Sequence, residues 1–122
     1  MRGHLEDDLQ MACVRWFCYQ YQNLAMLLHH SPNGGFRNGR EAARFKAMGT
    51  RAGFPDLVLL IPRKGYHALF IELKVGNNDQ TEFQKEFQLR VESMGYKYVV
   101  CRSFDDFSNE VTEYIENRKA VQ

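Results

Sequence analysis

Asp56, Glu72 and Lys74 interrupt two otherwise apolar, strand-like runs, Gly53-Phe54-Pro55-Asp56-Leu57-Val58-Leu59-Leu60-Ile61 and Ala68-Leu69-Phe70-Ile71-Glu72-Leu73-Lys74. An unpaired charge in a buried strand costs several kcal/mol unless a partner or a metal compensates it. The three groups are therefore expected to meet. Side chains two apart on a strand project from one face roughly 6–7 Å apart, which sets Glu72 beside Lys74 and turns Ile71, Leu73 and Val75 to the opposite face. Two carboxylates on neighbouring strands, about 4.5–5.5 Å apart at Cβ, can grip one divalent cation between them.

The element that must bring them together is a hairpin. Pro62-Arg63-Lys64-Gly65-Tyr66 has the composition and length to close an antiparallel pair. Pairing Ile61 with His67 sets Asp56 beside Glu72, whereas a bulge at Pro55 shifts the register by one residue and separates them.

Around the hairpin, Leu5, Leu9, Cys13, Trp16 and Phe17 recur at helical spacing and predict a first helix from Glu6 to about Tyr21. Leu24 to His30 is short and apolar, and the turn signal Ser31-Pro32-Asn33-Gly34-Gly35 behind it favours a strand. A short helix from about Arg40 to Met48 ends at Gly49. Asp79-Gln80-Thr81-Glu82 opens a helix with Phe83, Phe87, Val91 and Met94 as its buried stripe and Gly95 as its stop, and Gln84 and Gln88 share a face. Tyr96 to Cys101 reads as a strand. Ser103-x-x-Asp106 starts a last helix with Phe107, Val111, Tyr114 and Ile115 inward. The order α-β-α-β-β-α-β-α suits an α/β fold with a mixed four-stranded sheet flanked by helices.

At 122 residues, with 44% hydrophobic and 25% charged residues, the chain reads as a single domain, 1–122, able to bury a core without staples. The formal charge of +1 leaves distribution to decide the partner. Arg37, Arg40, Arg44, Lys46 and Arg51 face Glu41 alone between residues 34 and 51, a basic patch suited to phosphates. The solvated face of a helix is the plainer reading of each residue taken singly. The tail is opposite in sign, with Asp105, Asp106, Glu110, Glu113 and Glu116 against Arg118 and Lys119. Cys13, Cys18 and Cys101 are odd in number and form no C-x-x-C pair, which argues against a disulfide framework and a zinc site and for a reducing compartment. No apolar run approaches the roughly 20 residues that span a bilayer, and no signal-peptide pattern opens the chain, so a cytoplasmic protein is expected. Gly34-x-x-x-x-Gly39-Arg40-Glu41 is a near miss to a P-loop. Arg replaces the phosphate-binding Lys and Glu the magnesium-binding hydroxyl, so no nucleotide cofactor is expected. His4, His29, His30 and His67 lack zinc spacing and read as surface or packed residues.

Pro55-Asp56 followed by Glu72-Leu73-Lys74 resembles the PD-(D/E)xK nuclease motif. The stretch from Pro32-Asn33-Gly34 to Arg102-Ser103-Phe104 is similar to its virus-type replication-repair (VRR-NUC) branch. The supporting context is Asn33-Gly34-Gly35, Arg40-Glu41-Ala42-Ala43-Arg44, Gly53-x-Pro55-Asp56, Thr81-Glu82-Phe83-Gln84 and the Val99-Val100-Cys101 strand, in that order. The resemblance implies a restriction-endonuclease-like core and a metal-dependent endodeoxyribonuclease. Asp56, Glu72 and the Leu73 carbonyl would hold Mg²⁺, with Mn²⁺ able to substitute, and Lys74 would orient water or stabilise the charged transition state. Glu6 is a further metal candidate, since relatives bring an acid from the first helix, although Glu6, Asp7 and Asp8 also simply suit a helix N-terminus. Gln84 matches the family's glutamine and is expected to bond the lysine or a phosphate; an exposed helical Gln with no role is the alternative. Small standalone members are similar to junction-resolving enzymes. That implies a homodimer acting on branched DNA, four-way (Holliday) junctions foremost, in the cytoplasm of a bacterium or a phage-infected host. A non-catalytic DNA-binding module of the same fold and a sequence-specific restriction-type nuclease stay open as alternatives.

Overall fold

The computed structural model describes residues 3–32 and 39–116. In chain order these form α1 (His4–Gln20), a 3₁₀ turn (Gln22–Leu27), β1 (Leu28–His29), α2 (Gly39–Ala47), β2 (Leu57–Leu59), β3 (Leu69–Leu73), α3 (Glu82–Ser93), β4 (Lys97–Cys101) and α4 (Phe104–Glu116). The four strands make one sheet in the order β1-β2-β3-β4. β1 and β2, and β2 and β3, pair antiparallel, while β3 and β4 pair parallel with α3 as their crossover. The expected α/β architecture, a mixed sheet flanked by helices, is what forms.

β3 is buried along its whole length, and its alternation divides the apolar residues between two layers. Leu69, Ile71 and Leu73 join Leu57 and Leu59 against Cys13 and Phe17 of α1 and Phe107, Val111, Tyr114 and Ile115 of α4. Ala68 and Phe70 join Val58 and Tyr98 on the other face, where Phe87 and Val91 of α3 cover them. Each fully buried Leu, Ile or Phe is worth about 1.5–3 kcal/mol, so the sheet is fixed from both sides. Glu72 and Lys74 follow the even-numbered face, towards α3.

The hairpin closes through Lys64 and Gly65, both at positive φ (54° and 86°), as a two-residue turn of the primed type requires. Its tip departs from expectation. Ile61 and His67 do not pair; the strands stop at Leu59 and Leu69, and an isolated Arg63–Tyr66 bridge closes the turn. The backbone between is used elsewhere: Leu60 N–H donates to the Leu27 carbonyl and His67 N–H to the Gly95 carbonyl, each at 2.9 Å. The body of the hairpin keeps the register that matters, with Leu57 opposite Ile71, so the next step sets Asp56 against Glu72.

Three further expectations are corrected. Leu24 to His30 is mostly 3₁₀, with only Leu28 and His29 in a strand, because the three-residue repeat of that turn brings both Leu24 and Leu27 to the core. Leu5 is 73% exposed, in the first turn of α1. Phe83 and Met94 are 64% and 69% exposed, because α3 turns Gln84, Phe87, Gln88 and Val91 to the sheet and so rotates Phe83 outward. α4 starts as expected: Ser103 Oγ accepts Asp106 N–H at 3.0 Å, and Asp106 Oδ2 accepts Arg102 N–H at 2.9 Å.

Candidate active site

Asp56 lies at a bend one residue ahead of β2, and the segment before it is held tightly. Gly53 has φ +87°, and a Cβ there would sit 2.6 Å from the Phe83 carbonyl oxygen, so this close approach to α3 demands glycine. Phe54 packs edge-on against Phe70 and Phe87, with ring centroids 5.8 and 5.2 Å away, and Pro55 is buried. Asp56 is tied twice. Its Oδ2 accepts the Leu73 N–H at 2.7 Å, and its own carbonyl accepts from His30 Nδ1 at 2.7 Å.

Glu72 is only 3% exposed and Lys74 8%. Glu72 Oε2 accepts from Gln84 Nε2 at 2.8 Å and stands 3.7 Å from Lys74 Nζ. Its other oxygen, Oε1, is buried with no hydrogen-bond partner among the described residues. Burial first, and then the charge of Asp56, push the Glu72 carboxyl up to about 8, against the opposing pull of Lys74. A cluster that raises an acid this far marks a site for a proton or a cation.

Gln84 does two jobs. Its Oε1 accepts the Thr81 N–H at 2.8 Å while Thr81 Oγ1 accepts the Gln84 N–H at 3.1 Å, a reciprocal capping box that starts α3. The same amide then donates to Glu72, so Gln84 is placed on the acid, where the sequence suggested the lysine or a phosphate. Below it, Gln80 Nε2 donates to Gln88 Oε1 at 3.0 Å and to Tyr98 Oη at 3.4 Å. Burial, then the Glu72 charge, raise the Tyr98 hydroxyl well above its ordinary value.

Glu6 reaches the same end of the sheet from α1. Its Oε2 accepts Asn78 Nδ2 at 3.2 Å, and its charge adds the smallest of the upward pushes on Glu72. Among the described residues no three His, Cys, Asp or Glu side chains gather to hold an ion. Arg40, Arg44 and Lys46 lie on α2, every residue of which is exposed. Arg51 is exposed too, but its Nη1 donates to the Lys46 and Thr50 carbonyls at 3.1 and 3.3 Å, closing the end of that helix. Arg37 lies outside the described residues.

Sequence reasoning missed His30, Tyr98 and Gln80. From sequence His30 reads, like the other histidines, as a surface or packed residue; the available signal is its place at the end of the strand that pairs with β2, visible only once that pairing is known. Tyr98 reads as a core aromatic in an apolar strand, and nothing in its neighbours marks the hydroxyl.

A family model for the VRR-NUC domain matches residues 5–105, which includes Asp56, Glu72, Lys74 and Gln84. Among solved structures, a chain described as a VRR_NUC domain protein superposes with a TM-score of 0.81 at 37% identity, covering 95% of this chain and 92% of that one. No curated protein matches the chain. By sequence model and by structure, the chain belongs to the VRR-NUC domain family, a nuclease-type family.

Proposed function

We propose that the protein is a magnesium-dependent endonuclease that hydrolyses phosphodiester bonds in branched DNA, four-way junctions foremost, and acts as a homodimer. One observation supports this reading above the rest: Glu72 is buried beside a second acid with Oε1 unbonded among the described residues. Lys74 and Gln84 both meet Oε2, so a carboxylate so placed still destabilises the fold unless a cation or a proton sits against Oε1. The donor set fits a hard ion, since carboxylates and a main-chain carbonyl are the oxygen ligands magnesium takes. Asp56 and Glu72 would hold it, with the Leu73 carbonyl, and with Glu6 as a further acid. Mn²⁺ shares that ligand preference and would substitute. A bound ion supplies Lewis acidity at the phosphate and makes hydroxide accessible at neutral pH.

The chain's own groups do the rest. Lys74 Nζ, 3.7 Å from Glu72 Oε2, would orient the attacking water and stabilise negative charge as it develops on the phosphate. Gln84 keeps Glu72 in place from the first turn of α3. Arg40, Arg44 and Lys46 offer an exposed positive face to the DNA backbone, with Arg37 and Arg51 beside them in sequence. Cutting a four-way junction symmetrically needs two such sites about a two-fold axis, hence the dimer.

The test uses labelled four-way junctions, flaps, nicked duplex and linear duplex, with Mg²⁺ and with EDTA. Junction cleavage that EDTA abolishes and that Asp56→Ala or Lys74→Ala removes, with a solution mass about twice 14.3 kDa, is the expected result. Binding without cleavage would make the protein a DNA-binding module, and cuts in linear duplex at one recurring sequence would make it a restriction-type enzyme.

A further inference from the structure

We propose that His30 is a positioning residue for Asp56, fixing the main chain from which the metal-binding carboxylate projects; the role rests on the nuclease reading above. The ladder between β1 and β2 ends with His29 opposite Val58. One residue further, the tie continues through a side chain, with His30 Nδ1 standing 2.7 Å from the Asp56 carbonyl oxygen. A carbonyl oxygen only accepts, so Nδ1 carries the hydrogen, and Nε2 is left on the far edge of an exposed ring.

Asp56 is thereby held from both neighbouring strands. The His30 ring grips its backbone from the β1 side, and the Leu73 N–H grips its carboxylate from the β3 side at 2.7 Å. The second bond acts on one carboxylate oxygen, and the His30 bond adds a hold on the main chain itself. With both, backbone and carboxylate are fixed together, and the acid keeps its place opposite Glu72. Groups that orient a metal ligand in this way are worth roughly 10- to 100-fold in metal affinity or activity.

Asn and Gln separate the two ring nitrogens. The amide nitrogen of Asn stands where Nδ1 does, so His30→Asn can still reach the Asp56 carbonyl; that of Gln stands nearer to Nε2. In the parent, nitrogen chemical shifts of the neutral His30 ring should show the Nδ1–H tautomer, and a dominant Nε2–H form would overturn the proposal. Mn²⁺ binding by calorimetry, with no DNA present, should weaken roughly 10-fold or more in His30→Ala and His30→Gln and by less than about threefold in His30→Asn. On junction substrates the same order should appear in kcat, with KM for DNA changed less than about twofold.

Ala binding Mn²⁺ as the parent does, or Asn failing as badly as Ala, would overturn it. So would a lowered Tm with unchanged Mn²⁺ affinity, since that describes a residue that only closes the sheet edge. If the parent cuts no DNA, the nuclease reading falls, while the tautomer and the Mn²⁺ isotherms still decide whether His30 holds Asp56.

Discussion

Glu72 predicts an unusual pH dependence of stability for the metal-free protein. Its carboxyl is pushed from an ordinary 4.5 up to about 8, by burial first and Asp56 second. Between those values the native state holds a proton that the unfolded chain has lost, so stability falls as pH rises, by about 1.4 kcal/mol per pH unit. Across the whole window the loss is about 5 kcal/mol, fully felt above pH 8 and absent below the unfolded value. Urea unfolding in EDTA, read at intervals from pH 5 to 9 for the parent and for Glu72→Gln, measures it. Other groups titrate in both proteins, so the difference between the two curves isolates Glu72: the variant should lack this slope and gain on the parent with rising pH. Loss of the Lys74 partner shifts the variant's intercept and leaves the slope alone. Mg²⁺ should stabilise the parent more at pH 8.5 than at pH 6, because binding must displace the proton. Parent and variant curves that run parallel would refute the reasoning.

Gly53→Ala forces a side chain into a left-handed backbone and against the Phe83 carbonyl at 2.6 Å; chemical denaturation should show a loss of about 1–3 kcal/mol. Gln84→Ala removes the capping-box partner of Thr81 and the donor to Glu72 together, so thermal unfolding should report about 1–2 kcal/mol lost and cleavage assays a reduced kcat. Arg40→Ala and Arg44→Ala, both exposed on α2, should each reduce the dependence of DNA binding on log salt by about 1 while kcat at saturating DNA holds; an unchanged slope would take α2 off the DNA.

The hairpin register and the placing of Glu72 and Lys74 on one face were legible because strand alternation has a period of two, so a single misplacement would have buried the wrong set of residues. α4 was legible for a related reason: Phe107, Val111, Tyr114 and Ile115 have no competing pattern. α3 was harder. Phe83 and Met94 extend an apolar repeat through Phe87 and Val91, and hydrophobicity alone ranks them above Gln84. The face is set instead by an acid on the sheet that needs an amide donor, a tertiary demand that local pattern does not carry. The same holds for β1, whose two residues owe their strand geometry to β2 and whose side-chain tie from His30 exists only in the assembled sheet.

Why the fold tolerates Glu72 at all follows from where the second apolar layer stops. Phe70, Phe87 and Val91 fill the sheet face behind it, so the acid is dry on that side, and Gln84, Asp56 and Lys74 occupy the open end. Lys74 offsets part of the burial cost, but Asp56 adds to it, and replacing the acids by apolar groups would improve a fold that had stability as its only requirement. A polar triad that lowers stability, gripped by Gly53 against α3, by the Leu73 N–H and by the capping box of α3, is rigid at a place where rigidity is costly. Such an arrangement is coherent when the native state is completed by an ion that binds it and not the unfolded chain. It follows that variants at Glu72 should trade the two properties in opposite directions: those that relieve the buried charge should stabilise the metal-free protein at high pH and abolish its response to Mg²⁺.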